Sequence, residues 1–195
     1  MWQQLTPALR MMIIFTVLTG LVYPGVITGL AQLIFSRQAN GSLVSRNARI
    51  VGSELLGQSF TKPEYFHGRP SAAGDINEND ASASGGSNLG PTSQKLIDRV
   101  RASVADIRKS NPDATGALPG DSVTAWGSGL VPHISPATAE LLVARVARAR
   151  AASPDAIRQF VQQHTERRDF GVLGEPRVNV LALNLALDER LPVKH

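Results

Sequence analysis

Histidine is the residue type best suited to bind a metal or to transfer a proton near neutral pH, and this chain has four. They lie far apart in the sequence, at His67, His133, His164 and His195. A local metal site needs a second ligand nearby, and no histidine has one at i+3 or i+4. Cysteine is absent, which excludes disulfides, thiolate-bound zinc and cysteine nucleophiles. The sequence therefore predicts no metal site, and surface or hydrogen-bonded roles for the histidines.

Serines flanked by glycine are the next candidates for chemistry. Ser128 lies between Gly127 and Gly129, without the Gly-x-Ser-x-Gly spacing of a hydrolase nucleophile. Residues 84–90 read Ser-Gly-Gly-Ser-Asn-Leu-Gly and could bind an anion through backbone amides, but they lack the Gly-Lys-Ser/Thr ending of a phosphate loop. Carboxylates show no recognisable paired spacing either. We expect no catalytic residue, and no cofactor or nucleotide bound by this chain alone.

The element that must position the rest of the chain is an uncharged run of 26 residues, 11–36, bounded by Arg10 and Arg37. As a helix it would extend roughly 39 Å, more than the roughly 30 Å of bilayer hydrocarbon. The run is longer than the apolar region of a signal peptide, and residues 36–39 form a poor cleavage site. The sequence predicts an uncleaved membrane anchor.

The interior of this run differs from that of a simple anchor. Pro24 removes a backbone donor and is expected to kink the helix. Gly25 and Gly29 lie on one face and would let another helix approach closely. An alternative is that glycine and proline are simply commoner in membrane helices than in soluble ones. The residues expected to pack against a partner helix are Gly20, Tyr23, Pro24, Gly25, Gly29 and Gln32.

The orientation of the anchor is left open by its flanking charges. Arg10 lies on one side and Arg37, Arg46 and Arg49 lie on the other. Counted literally, these charges favour a cytoplasmic carboxyl-terminal domain, but large domains are exported largely regardless of charge.

The remaining residues, 37–195, suffice for one domain with its own core. The net charge is +4 and the pI is near 10.0, but the 20 basic residues are scattered among 16 acidic ones. Two basic clusters are predicted to form solvated helix faces: Arg145, Arg148 and Arg150, and Arg167 with Arg168.

Patterning predicts an α+β domain that is rich in helix. One or two short strands are expected within residues 41–60, and a long Ser/Gly/Asn loop at 71–90. A helix should follow Ser93 and end at Asn111. Ser135-Pro136 and Ser153-Pro154 should begin two more helices, ending near Arg150 and His164. Residues 179–187 favour a helix, with a strand as the alternative.

Taken in order, eight segments resemble the C subunit of the bacterial Kdp-type potassium-transporting ATPase. Two lie in the anchor, Thr-Gly-Leu-Val-Tyr-Pro at 19–24 and Thr-Gly-Leu-Ala-Gln at 28–32. The others are Gly-Ser-Glu-Leu-Leu-Gly-Gln-Ser-Phe at 52–60, Tyr-Phe-His-Gly-Arg-Pro-Ser at 65–71, Ala-Ser-Gly-Gly-Ser-Asn-Leu-Gly-Pro at 83–91, Gly-Ser-Gly-Leu at 127–130, Pro-His-Ile-Ser-Pro at 132–136 and Gly-Glu-Pro-Arg-Val-Asn-Val at 174–180. Trp126 and Val131 depart from the pattern, which commonly has a small residue and an aspartate at these places.

The resemblance implies a non-catalytic subunit of an inner-membrane pump for potassium uptake. Its implied partners are a channel-like potassium-translocating subunit, a P-type ATP-hydrolysing subunit, a small single-helix peptide and membrane lipid. The implied roles are to stabilise assembly and, as a catalytic chaperone, to raise the affinity of the hydrolysing subunit for ATP. The implied topology has residues 1–10 in the cytoplasm, a span at 11–36 and a periplasmic domain at 37–195.

Two other hypotheses stay open. The chain could be a free-standing membrane-anchored binding or sensor module that takes an anionic ligand through the Ser/Gly loop and the basic helix faces. Alternatively, the domain could bind nucleotide directly. Our preferred hypothesis is that the anchor and the domain clamp partner subunits, and that any effect on ATP affinity is indirect.

Overall fold

A computed structural model describes residues 2–73 and 79–193. The chain divides after Val51 into two compact units, each described by itself below. The first is dominated by a continuous helix formed by α1 (Trp2–Val17), a π-helical turn (Leu18–Val22) and α2 (Tyr23–Ile34). Residues Gln4–Ile34 of it are long and apolar enough to cross a membrane. The helix begins at Trp2, well before the uncharged run. Arg10 adds a charge to the helix but does not interrupt its backbone hydrogen bonds.

The irregularity expected at Pro24 takes the form of the π turn that precedes it. Pro24 has no N–H to donate to the carbonyl of Gly20, so a regular α-helical ladder cannot continue there. The N–H of Tyr23 instead donates to the carbonyl of Leu18, five residues back. Thr19 Oγ1 donates to the carbonyl of Phe15 at 2.6 Å, which adds a side-chain bond within the same stretch.

A short helix and a β-hairpin follow the long helix. These are α3 (Ser36–Ala39), β1 (Leu43–Arg46) and β2 (Arg49–Ser53), and β1 pairs with β2. Asn47 and Ala48 form the two-residue loop and both have positive φ, +50° and +59°. That is the backbone of a type I′ turn, whose twist matches that of the paired strands. The strands predicted within residues 41–60 are confirmed.

The second unit contains the remaining helices and a small sheet. Its helices are α4 (Gln94–Ser110), α5 (Gly120–Val123), α6 (Pro136–Ala149), α7 (Pro154–Gln163) and α8 (Val180–Arg190), with one 3₁₀ turn at Ala81–Ala83. Its strands are β3 (His133–Ile134), β4 (Thr165–Glu166) and β5 (Arg177–Asn179). The three strands are antiparallel in the order β3-β5-β4, with Val178 opposite both Ile134 and Thr165. Strands of two or three residues are too short to show a periodic pattern, which explains why the sequence did not predict this sheet.

Side-chain caps fix the starts of three helices at the predicted positions. Ser135 Oγ accepts from the N–H of Thr138 at 3.0 Å, and Ser153 Oγ accepts from the N–H of Ala156 at 3.2 Å. Asn179 Oδ1 caps α8 in the same way. The caps satisfy N–H groups that have no partner within the helix. The helices predicted from residues 135, 153 and 179 are therefore confirmed, as is the helix that ends at Asn111.

The core lies where α6, α7 and α8 meet the sheet. Its largest fully buried apolar side chains are Phe66, Ile134, Val143, Val146, Ile157, Val178, Leu183 and Leu187. Phe66 is the one aromatic side chain among them, and it comes from an irregular segment rather than from a helix or a strand. That segment must be held by groups other than a backbone ladder.

Candidate functional site

Two buried arginines hold this irregular segment, residues 63–67. Arg145 lies in α6, and Arg150 directly follows the end of that helix. Arg145 donates from Nη2 to the carbonyl of Tyr65 at 3.0 Å, from Nη1 to that of Pro63 at 3.2 Å, and from Nε to Asn111 Oδ1 at 3.1 Å. Its remaining contact is Nη1 to His67 Nε2 at 2.9 Å. Burial lowers the pKa of Arg145 to about 10. Backbone carbonyls and neutral side chains, not a carboxylate, thus satisfy this cation.

Arg150 holds the same segment from its other side. Its Nε donates to the carbonyl of Glu64 at 2.8 Å, and its Nη2 pairs with Asp188 Oδ1 at 2.8 Å. The Arg150 side chain is 0% exposed and lies 5.3 Å from the centre of the Tyr65 ring. The prediction of a solvated basic face was wrong for Arg145 and Arg150. Only Arg148 of that cluster is exposed, because it lies on the outer side of α6. There it pairs with Asp113. In the second cluster, Arg167 and Arg168 are exposed as predicted, but they follow β4 in an irregular segment and do not form a helix face.

Asn184 of α8 completes the attachment. Its Oδ1 accepts from the N–H of Phe66 at 2.8 Å, and its Nδ2 donates to the carbonyl of Phe66 at 2.9 Å. Asn184 is 1% exposed and Phe66 is 0% exposed. One side-chain amide thus replaces the two bonds that a neighbouring strand would give to Phe66.

Each described histidine has a local structural role. Burial and the Arg145 guanidinium lower the pKa of His67, although the same Nε2 lies 3.1 Å from the carbonyl of Lys62, a contact that opposes the shift. A lowered pKa fits an unprotonated Nε2 that accepts from Arg145. Burial also lowers the pKa of His133, whose Nε2 lies 4.0 Å from Glu166. His164 Nδ1 lies 2.9 Å from the carbonyl of Phe160 within its own helix turn. Among residues 2–73 and 79–193, no three His, Cys, Asp or Glu residues lie close enough to hold a metal ion. His195 lies outside the described residues.

The two serine- and glycine-rich motifs pack against each other. The N–H of Gly85 donates to the carbonyl of Ser128 at 3.0 Å, and Ser84 Oγ donates to the same carbonyl at 3.2 Å. A Cβ on Gly86 would lie 2.8 Å from the carbonyl oxygen of Gly127. Gly129 has φ +69°, and a Cβ there would lie 2.6 Å from the backbone nitrogen of Ala73. These glycines therefore allow backbones to approach closely. The Ser128 hydroxyl accepts from the N–H of Leu130 at 3.2 Å, in a local turn.

Trp126 and Val131, which depart from the expected pattern, differ in burial: Trp126 is 54% exposed, whereas Val131 is half-buried. The guanidinium of Arg69 stacks on the Trp126 ring at 4.4 Å, so the larger side chain supplies a cation–π contact. The carbonyl of Val131 faces Gly57, where a Cβ would lie 2.8 Å from the oxygen. The carboxylate of Asp121 accepts from the N–H of Ser135 at 2.8 Å, at the start of α6. Burial alone would raise the pKa of Asp121, but hydrogen bonds from Ser135 and Thr138 outweigh it and lower that pKa.

The residues predicted to pack against a partner helix have different environments in the long helix. A Cβ built on Gly20, Gly25 or Gly29 would meet no described atom within 4 Å beyond the local helix backbone. Nothing in the described part of the first unit therefore requires glycine at those positions. Tyr23 is 63% exposed, whereas Gln32 exchanges amide hydrogen bonds with Asn40 at 3.1 and 3.3 Å. Pro24 follows the π turn. The contacts made by this face in a complex stay a prediction.

Comparison with known proteins places this arrangement in a family. A family model described as the c chain of the K⁺-transporting ATPase, KdpC, matches residues 5–189. The chain belongs to the KdpC family. It is 54% identical to a potassium-transporting ATPase KdpC subunit of Koribacter versatilis, over 99% of this chain and 98% of the relative. It is 56% identical to that of Gemmatimonas aurantiaca over 96% and 94%, and 51% identical to that of Rhodospirillum rubrum over the full length of both. The KdpC likeness thus includes both the long helix and the domain.

Proposed function

We propose that this chain is a non-catalytic, membrane-anchored subunit of a potassium-transporting ATPase that stabilises the assembled complex. The observation that carries the proposal is the match to KdpC from residue 5 to residue 189, through the apolar helix and the domain together. It is supported by the structural use of the groups that could otherwise do chemistry. His67 accepts a hydrogen bond from a buried arginine, and Ser128 lies in a turn.

The helix is proposed to be seated against a larger subunit through the face that carries Gly25 and Gly29. Residues four apart lie on the same side of an α-helix, so these two positions form one shallow notch. Within the described part of the first unit, no side chain fills that notch. The proposed neighbours are the channel-like potassium-translocating subunit, the P-type ATP-hydrolysing subunit and a small single-helix peptide.

The anchor is proposed to place the amino terminus in the cytoplasm and the domain in the periplasm of a bacterial inner membrane. The domain would then be separated from cytoplasmic ATP by the bilayer. Any rise in ATP affinity would have to come from allosteric coupling, in which the domain and the nucleotide favour the same one of two states of the complex. We therefore propose that the chain acts as a catalytic chaperone indirectly, and does not contact the nucleotide.

Replacement of both glycines by leucine tests the seating of the helix. Gly25→Leu with Gly29→Leu adds bulk only on the proposed contact face, and leucine favours the helix more than glycine does. The matched control, Ile27→Leu with Ala31→Leu, has the same spacing on the other side of α2. We expect the glycine variant to be lost from the detergent-purified complex and the control to be retained. Full assembly and activity of the glycine variant would contradict the proposal.

Two further measurements separate the parts of the proposal. Protease digestion of inner-membrane vesicles of both orientations should cleave the domain only where the periplasmic face is outside. Calorimetry of the full chain in detergent should give no saturable heat with ATP, while loss of the chain from the complex should raise the ATP KM of the complex. Saturable ATP binding by the chain alone would show that it contacts nucleotide directly.

A further inference from the structure

The loop between β4 and β5 presents three apolar side chains that the described part of the domain leaves uncovered. Phe170 is 93% exposed, Val172 is 73% exposed and Leu173 is 58% exposed. We call these three residues the apolar tip. Single exposed apolar residues are common on protein surfaces, but three within four positions of one loop form a patch.

The backbone holds the apolar tip in one conformation. Asp169 and Leu173 exchange two backbone hydrogen bonds, of 2.8 and 2.9 Å, and the N–H of Gly171 donates to the carbonyl of Arg168 at 3.0 Å. Phe170 has φ +53°, a conformation that is costly for a bulky side chain. The loop therefore maintains an unfavourable backbone geometry that exposes an aromatic ring. A preordered loop loses little conformational freedom on binding, so it is suited to docking.

The charges around the apolar tip cancel. Arg168 donates to both oxygens of Glu175, at 2.8 and 2.9 Å. Arg177 donates to Glu166 at 2.8 Å and to Asp169 at 3.4 Å. With Arg167, the segment 166–177 holds three basic and three acidic residues, a net charge of zero. An anionic lipid surface attracts a net basic segment, so this balance favours an uncharged binding site instead.

We propose that the apolar tip docks into an apolar pocket on another protein subunit of the same membrane complex, with Phe170 as its anchor. This inference rests on the proposed function, since it requires partner subunits. Aromatic side chains that enter pockets commonly dominate the energy of an interface, while paired charges such as Arg168 and Glu175 form its rim. The strained backbone at Phe170 is then the cost of presenting the anchor to the partner.

The Phe170→Asn variant tests an effect on docking separately from an effect on folding. Asparagine tolerates positive φ, so Phe170→Asn should leave the thermal midpoint of the isolated full chain unchanged or raise it. The same variant should leave the purified complex at least about tenfold faster than the wild type, as expected for loss of an anchor. The matched control is Leu55→Asn, which changes another exposed apolar residue and should dissociate at the wild-type rate. Equal dissociation of the two variants would overturn the proposal.

Labelling identifies the occupant of the surface. Because the chain has no cysteine, Val172→Cys provides a single thiol whose labelling by a charged maleimide can be read on this chain alone. We expect fast labelling of the isolated chain in nanodiscs and slow labelling in the complex. Slow labelling in both would indicate burial in lipid, and fast labelling in both would indicate a free surface; either contradicts docking to protein. If the wild-type chain does not co-purify with other subunits, it is the proposed function that fails.

Discussion

Asn184→Leu should destabilise the domain strongly although it changes side-chain volume little. Asn184 supplies both the acceptor for the Phe66 N–H and the donor for the Phe66 carbonyl, at 2.8 and 2.9 Å. Leucine supplies neither, and both residues are at most 1% exposed. Water therefore cannot replace the lost bonds without opening the core.

The size of the effect follows from the two orphaned groups. A buried donor or acceptor left without a partner costs about 1–3 kcal/mol, so the pair costs about 2–6 kcal/mol. A leucine also gains some apolar burial, which places the expected loss near 3 kcal/mol. For a domain of this size the thermal midpoint would fall by about 10 °C.

Thermal unfolding of the detergent-solubilised full chain, followed by circular dichroism, measures this loss. Gln159→Leu is the control, because it makes the same change from amide to apolar side chain at an exposed position of α7. It should stay within about 0.5 kcal/mol of the wild type. If Asn184→Leu were equally mild, the attachment of residues 63–67 would not depend on this amide, and our account of the segment would be wrong.

Two further predictions concern the other groups that hold residues 63–67. The pKa of His67 is lowered from its ordinary value of 6.5, so between the folded-state pKa and 6.5 the unfolded chain binds more protons, and stability should fall as pH drops through this range. His67→Gln should therefore lose less stability than the wild type between about pH 7.5 and about pH 5, as measured by the unfolding midpoints at the two pH values. An equal fall in the midpoint for the variant and the wild type would refute this role of His67. Asp188→Asn removes the carboxylate partner of the fully buried Arg150 side chain and should cost about 2 kcal/mol in urea unfolding, as expected for a hydrogen bond to a charged group. No change in the urea midpoint would mean that the backbone carbonyls alone satisfy Arg150.

The elements with a strong local signal could be predicted from sequence. The Ser-Pro starts of α6 and α7 combine a side-chain cap with a residue already restricted to helical φ. The apolar run also predicted a long helix, which in the structure begins at Trp2, before the run itself. Residues 179–187 form a helix capped by Asn179 and not the alternative strand, because leucine and alanine there have little tendency to form strands.

The contacts of the buried arginines could not be predicted from spacing. Arg145 and Arg150 are five residues apart, near enough to Arg148 to suggest one basic face. What buries them is a segment about 80 residues earlier, whose free carbonyls need donors. The aromatic and turn-rich composition of residues 62–70 was the available signal, because such a segment lacks a backbone ladder when its ring enters a core.

Affinity purification of the full-length chain from bacterial membranes tests whether it is a subunit that supports transport without performing chemistry. The chain should come with large multi-span proteins, and potassium-stimulated ATP hydrolysis should be found in that complex and not in the separated chain. A chain that isolates alone as a monodisperse species, or that turns over a substrate unaided, would contradict the account.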